Sequence, residues 1–224
     1  MSARDVAARL PDIAALRDLC RSMAMVEAIL NPDNEYRRHG YDARWSGARE
    51  LAWMDNGAGD EYSVVFSAAG AYVRGFDHHS PMSPFVAEPR PWPGVLDSVP
   101  EVFHDWVREP SFADEDGLPR VTACLWREPG DDRWRTGDVD FDGTDEVPDG
   151  ADYLFGLLID GTPEGYRDWA RDYYETPVDL DAVRHVYALR PLTPGVVAAL
   201  NPEVTPAGLE NAVTAIGYPP ADTP

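Results

Sequence analysis

Between residues 51 and 76 three short apolar runs follow one another, at 51–54, 62–67 and 71–76. They are separated by Asp55-Asn56-Gly57-Ala58-Gly59-Asp60 and by Ala68-Ala69-Gly70. Gly and Asn at those places supply the positive φ that tight connections need. This spacing predicts a three-stranded antiparallel meander. Val64, Val65 and Phe66 are consecutive, which marks the middle strand as buried on both faces.

Helical signals flank the meander. Ile13, Leu16, Leu19, Met23, Val26 and Leu30 recur at steps of three and four, one face of an amphipathic helix over 12–30. Pro11 suits its first turn and Asn31-Pro32-Asp33 ends it. Residues 34–49 carry no clear period. Ser98-Val99-Pro100-Glu101 opens a second helix, with Ser98 as its cap. Residues 120–127 read as a central strand, since both of its faces are apolar, with a partner strand over 133–139. Asp149, Thr162, Thr193 and Thr205 each stand where a helix cap is expected, and Gly217 closes the last helix. Residues 179–187 fit a helix or a strand. The count is about five strands and six helices, the strands central and helices at both ends. We expect an α+β fold with a mainly antiparallel sheet. One domain over 1–224 is expected, with the stretch near 143–150 as its seam.

Charge excludes whole classes of partner. Forty Asp and Glu stand against nineteen Arg, with no Lys, for a formal net charge of −21. Nucleic-acid phosphate and an anionic membrane would both repel such a chain, whereas a basic protein would be attracted. A GC-rich genome or a salt-adapted habitat produces the same bias without any partner. Hydrophobic residues are 44% of the chain, enough for a core and too many for an acidic disordered tail. Cys20 and Cys124 form no disulfide framework and read as buried thiols. No run approaches the roughly 20 apolar residues of a membrane span. The N-terminus carries acids early and has no signal-peptide core, so a cytoplasmic location is expected.

Three features carry candidate chemistry. Asp77, His78 and His79 directly follow a strand and open the proline-rich loop 77–94; such a triplet can bind a divalent metal or act as acid and base. In extended backbone His78 and His79 would point to opposite sides, which disfavours a shared ion. The triplet resembles the phosphoesterases named for it, but their upstream His-x-Asp-x-Asp element is absent, so that family is excluded. Asp138, Asp140 and Asp142, followed by Gly143, match the first half of a calcium-binding EF-hand loop. The twelfth position is Asp149 rather than Glu, and the flanks make poor helices. Opportunistic cation binding is the expectation there. The third feature is aromatic. Trp53, Trp126 and Trp169 fit core positions, while Trp92, between Pro91 and Pro93, is the best surface candidate, with Phe85 and Arg90 of the same loop beside it as binding residues.

Phosphate-cradling, dinucleotide, serine-nucleophile, zinc-protease and C-x-x-C motifs are all absent. The segments GFDHHSPMSP, WPGVLDSVPEVF, VTACLWREPGDDRW and DWARDYYE look like those of a set of uncharacterised bacterial, actinobacterial-type proteins, a resemblance that implies no activity. The layout, an N-terminal helix followed by a Gly-linked meander, together with the acidity, resembles the SUKH immunity superfamily, whose members imply a protein-binding role. Two functions follow as expectations. The first is a non-enzymatic acidic binding or regulatory protein, an immunity-type partner of a basic toxin or effector, with no cofactor. The alternative is a metal-dependent hydrolase built on Asp77, His78 and His79, joined by His104 or His185, with a divalent cation.

Overall fold

A computed structural model describes residues 1–33, 36–86, 88–140 and 149–220. Among these residues the fold is α+β, with six antiparallel strands in the sheet order β1-β2-β3-β4-β5-β6 and helices on both sides of them in sequence. The chain forms two compact units. One comprises residues 1–13 and 53–159, the other 14–52 and 160–224. The divisions fall at 13/14, 52/53 and 159/160. The seam expected from sequence lies largely outside the described residues.

In the unit of residues 14–52 and 160–224, α2 (Ile13–Leu30) is the central element. It begins two residues after Pro11 and buries Leu16, Leu19, Met23 and Val26 of the positions that its spacing marks, while Ile13 and Leu30 are half-buried. It also buries Glu27, which is 0% exposed. That carboxylate accepts bonds from the His39 ring (2.7 Å), the Arg38 main chain (3.1 Å) and the Tyr174 hydroxyl. A buried polar group of this kind is tolerated because its hydrogen-bonding sites are filled. β1 (His39–Ser46) occupies the stretch that showed no period, and β2 (Arg49–Asp55) follows it. Four helices complete the unit after residue 160: α6 (Pro163–Tyr174), α7 (Leu180–Tyr187), α8 (Pro194–Leu200) and α9 (Glu210–Ile216). Thr162, Asp179 and Thr193 cap the first three through their side chains, which settles 179–187 as a helix. Thr205 caps a 3-10 turn instead, and Gly217 takes the left-handed C-cap expected of it.

In the other unit, β3 (Glu61–Ser67) and β4 (Gly70–Phe76) form a hairpin in register Ser67↔Gly70 through Glu61↔Phe76. β5 (Ala123–Arg127) adds to β4, and a two-residue β6 (Arg135–Thr136) adds to β5. Tyr62 to Phe66 and all of β4 are buried, as the apolar runs require. Arg74 is buried in β4, where its guanidinium bonds Glu61 (2.8 Å), the Arg120 carbonyl (2.8 Å) and Ser63. Burial lowers its pKa, against the pull of Glu61.

Several local expectations are corrected. The strand expected over 133–139 is two residues long. The helix expected after Ser98 is a 3-10 turn over Glu101–Phe103 followed by α3 (His104–Val107), and its N-cap is Pro100 rather than Ser98. Trp53 is exposed and Trp169 half-buried, whereas Trp126 is in the core. Gly150, in the left-handed region, is the N-cap of α4 (Ala151–Leu154), with α5 (Gly156–Asp160) after it.

Asp149 turns inward just before that cap. It is 2% exposed and accepts from the main chains of Ala3, in α1 (Ala3–Ala7), at 2.7 Å and Ala151 at 3.0 Å. Burial raises its pKa, and the two main-chain bonds only partly oppose this. A folded-state pKa above the unfolded one means that the native state binds the proton more readily. Stability from this group therefore grows as pH falls from neutral towards the ordinary value of 3.8. We predict that wild type gains stability relative to Asp149→Asn between pH 7 and pH 4 in urea denaturation. A difference that does not change with pH would contradict this assignment.

Candidate metal centre

The register of the β3–β4 hairpin builds the site. Glu61 pairs with Phe76, so Asp60 and Asp77 lie one step beyond the same end of the ladder. Asp60 closes the turn that starts at Asp55: Asn56 donates its main-chain N–H to the Asp60 carbonyl and its side-chain amide to the Asp60 carboxylate. Asp77 begins a run of turns, with the Ser80, Ser83 and Val86 main chains each donating to the carbonyl three residues back. The backbone therefore turns at His78 and His79. The extended geometry expected there, which separates adjacent side chains, does not apply. The two imidazole rings lie 3.6 Å apart.

Asp60, Asp77, His78 and His79 each offer one ligand atom, and these atoms all lie within 4.8 Å of one another. Asp60 is buried, Asp77 and His78 half-buried and His79 exposed. One Asp60 oxygen accepts both the His78 main-chain N–H (3.0 Å) and a bond to His78 Nδ1 (2.7 Å). Burial by itself would raise the Asp60 carboxyl, but the two bonds from His78 and one from Asn56 prevail and hold it below its ordinary value. Asp77 is fixed through its backbone. Its N–H donates to Thr122 Oγ1 (3.1 Å), which donates in turn to the Asp149 carbonyl (2.8 Å). The Asp77 carboxylate accepts the His79 N–H (2.9 Å).

Two glycines make room for these groups. A methyl group at Gly59 would sit 3.2 Å from the His78 ring, and one at Gly150 only 2.5 Å from Asp77 Cβ and Oδ2. Gly150 also has φ +71°. Two imidazoles and two carboxylates suit Zn²⁺ and neighbouring transition ions. An ion at about 2.0–2.2 Å from each donor requires every pair of donors to lie within about 4.4 Å, against the 4.8 Å spread of this set. His78 also lines an open cleft of about 620 Å³, together with Phe76, Phe85, Val86, Glu61 and Arg120.

The other candidates lie elsewhere. His104 bonds the Val99 carbonyl and His185 the Pro191 carbonyl; neither belongs to the cluster. Asp138 and Asp140 do not join it either; both are exposed, and Asp138 pairs with Arg4 at 3.3 Å. Asp142 lies outside the described residues. Asp149, the twelfth position of the EF-hand-like run, spends its carboxylate on Ala3 and Ala151. The three expected loop contacts divide between two clefts: Phe85 lines the one beside His78, while Arg90 and Trp92 line another of about 600 Å³.

Asp60 was not among the residues singled out from sequence. Its signal was present in the two-residue connection Ala68-Ala69, which fixes the hairpin register and places residue 60 opposite residue 77. No family model, curated protein or solved structure matches the chain.

Because Gly150 sits against Asp77 with positive φ, Gly150→Ala should lower stability by about 1–3 kcal/mol and displace the Asp77 side chain. An unchanged urea midpoint with unshifted amide resonances at residues 77–79 would contradict the packing described.

Proposed function

We propose that the protein holds one divalent transition-metal ion, Zn²⁺ first among them, between Asp60, Asp77, His78 and His79, with water as a further ligand that the ion would activate for hydrolysis. The observation that carries this reading is the convergence of four ligand atoms within 4.8 Å from two separate turns. The imidazoles supply neutral nitrogen donors and the carboxylates offset the ion's charge. The Asp60–His78 bond already holds an oxygen and Nδ1 2.7 Å apart, and binding of the ion between them would replace the proton they share. A Zn²⁺-bound water titrates near pH 7 rather than near 16. His79 and Asp77 leave the ion open to solvent, and the apolar wall of Phe76, Phe85 and Val86 gives a substrate a surface to lie against.

The reading places the protein in the cytoplasm. Two buried free thiols support that, each pushed up to about 12 by burial and therefore inert. The other expected role, an acidic binding protein of immunity type, is favoured by a separate observation, the cleft at Trp92, taken up below.

The test is metal content. Full-length protein stripped with EDTA and resupplied with Zn²⁺, Mn²⁺ or Fe²⁺ should retain about one ion per chain. Zn²⁺ at a hundred times its Kd should raise stability by about 2.7 kcal/mol. The His78→Ala/His79→Ala variant should retain none and gain no stability, and hydrolysis of an ester and phosphoester panel should require the loaded wild type. An empty wild type, or loading that the double variant leaves unchanged, would overturn the reading.

A further inference from the structure

We infer that the cleft around Trp92 receives an arginine side chain of a basic partner protein. The inference is independent of the metal centre. It starts from how the cleft is built. Trp92 stands between two prolines, which carry no N–H and restrict the backbone on either side. Its carbonyl accepts the Val95 N–H (3.2 Å). Gly94, two residues after Trp92, has φ +88°, and a methyl group there would lie 2.3 Å from the Asp138 carbonyl. Gly137 answers it from the other side, since a methyl group there would lie 2.1 Å from the Gly94 carbonyl. Two glycines thus let two backbone segments meet at a distance no side chain would allow. That approach sets the indole of the proline-rich loop beside the carboxylates that follow Gly137.

The resulting cleft, about 600 Å³, is lined by Trp92, Glu88, Arg90, Asp97, Asp138 and Asp140, with Met82 among its other residues. Four carboxylates and one guanidinium line it; Arg90 pairs with Glu88 (3.1 Å), and Asp138 pairs with Arg4 outside the lining (3.3 Å). Asp97 is held in place by accepting the Gly94 N–H (2.8 Å). Trp92 is 40% exposed, a large apolar ring open to solvent. An exposed indole face bordered by carboxylates matches a guanidinium on both counts. The plane stacks on the ring, while its N–H fork meets carboxylate oxygens. The field of a chain with net charge −21 draws cationic ligands towards the site from a distance. The same charge disfavours every anionic occupant, so a basic protein is the partner we assign.

The test uses the full-length protein and an acetylated, amidated Gly-Arg-Gly-Arg-Gly peptide at 150 mM salt, followed by the indole N–H resonances in a nitrogen-15 correlation spectrum. Trp92→Phe identifies the Trp92 resonance. We expect that resonance to move in a saturable way. Trp92→Ala should weaken binding by about threefold or more, and Asp97→Asn/Asp140→Asn should weaken it further. The same peptide with citrulline for arginine, which keeps the shape and loses the charge, should not bind. Asp181→Asn/Glu203→Gln removes the same charge at exposed positions elsewhere and should leave binding unchanged. The assignment would be overturned by no shift at Trp92 or by citrulline binding equally. It would also be overturned if the distant pair weakened binding as much as the cleft pair, which would mean diffuse attraction to an acidic surface. Trp92 is surface-exposed, so the Trp92→Ala variant retains its fold and its loss of binding is interpretable.

Discussion

The Asp60 carboxylate holds together the part of the molecule where chemistry is concentrated. One of its oxygens takes both the main chain and the ring of His78, and Asn56 anchors the group from its own turn. The ends of two strands are thereby tied beyond the last rung of their ladder, where the chain after β4 turns through the bonds of Ser80 and Ser83 to the Asp77 and Ser80 carbonyls. In extended backbone His78 and His79 would diverge; here their rings lie 3.6 Å apart, inclined by 43°. Gly59, Gly150 and Thr122 serve the same arrangement, two by leaving space and one by relaying a bond from Asp77 to the Asp149 carbonyl.

The parts of this fold that were legible in the sequence are those set by local rules. The period of α2, the caps Thr162, Asp179 and Thr193, and the glycine-linked hairpin each follow from the chemistry of a few neighbouring residues. Positions decided by distant contacts were not legible. Residues 39–46 form a strand although their polar sequence shows no alternation, with His39 drawn in by Glu27 twelve residues earlier. Asp149 looked like a helix cap or a calcium ligand. Its carboxylate is instead spent on Ala3, a partner 146 residues away. The candidate metal centre was half legible. Asp77, His78 and His79 stood out by type, but their argument against sharing an ion assumed extended backbone, and Asp60 emerges only when the hairpin register is followed past its end.

Acidity has two separate consequences in this chain. Most carboxylates are solvated or paired with arginines on the surface, where each pair adds little stability. A few are placed by close backbone geometry: Asp60 and Asp77 by the hairpin and its glycines, Asp97 and Asp138 by the contact of Gly94 with Gly137. The clefts beside these two groups differ in character. One has imidazoles and an apolar wall, which suits a metal and a substrate to be hydrolysed. The other has an exposed indole and an excess of negative charge, which suits a cation that is bound and not altered.

The most direct test of the central claim is X-ray absorption at the zinc edge of the full-length, zinc-loaded protein. The account predicts a first shell of nitrogen and oxygen at about 2.0–2.1 Å with the outer-shell scattering of two imidazoles. Replacing Asp60 by Asn should alter that first shell while both imidazoles remain. A shell of oxygens alone, with no imidazole scattering, would place any bound zinc on the acidic surface and contradict the metal centre.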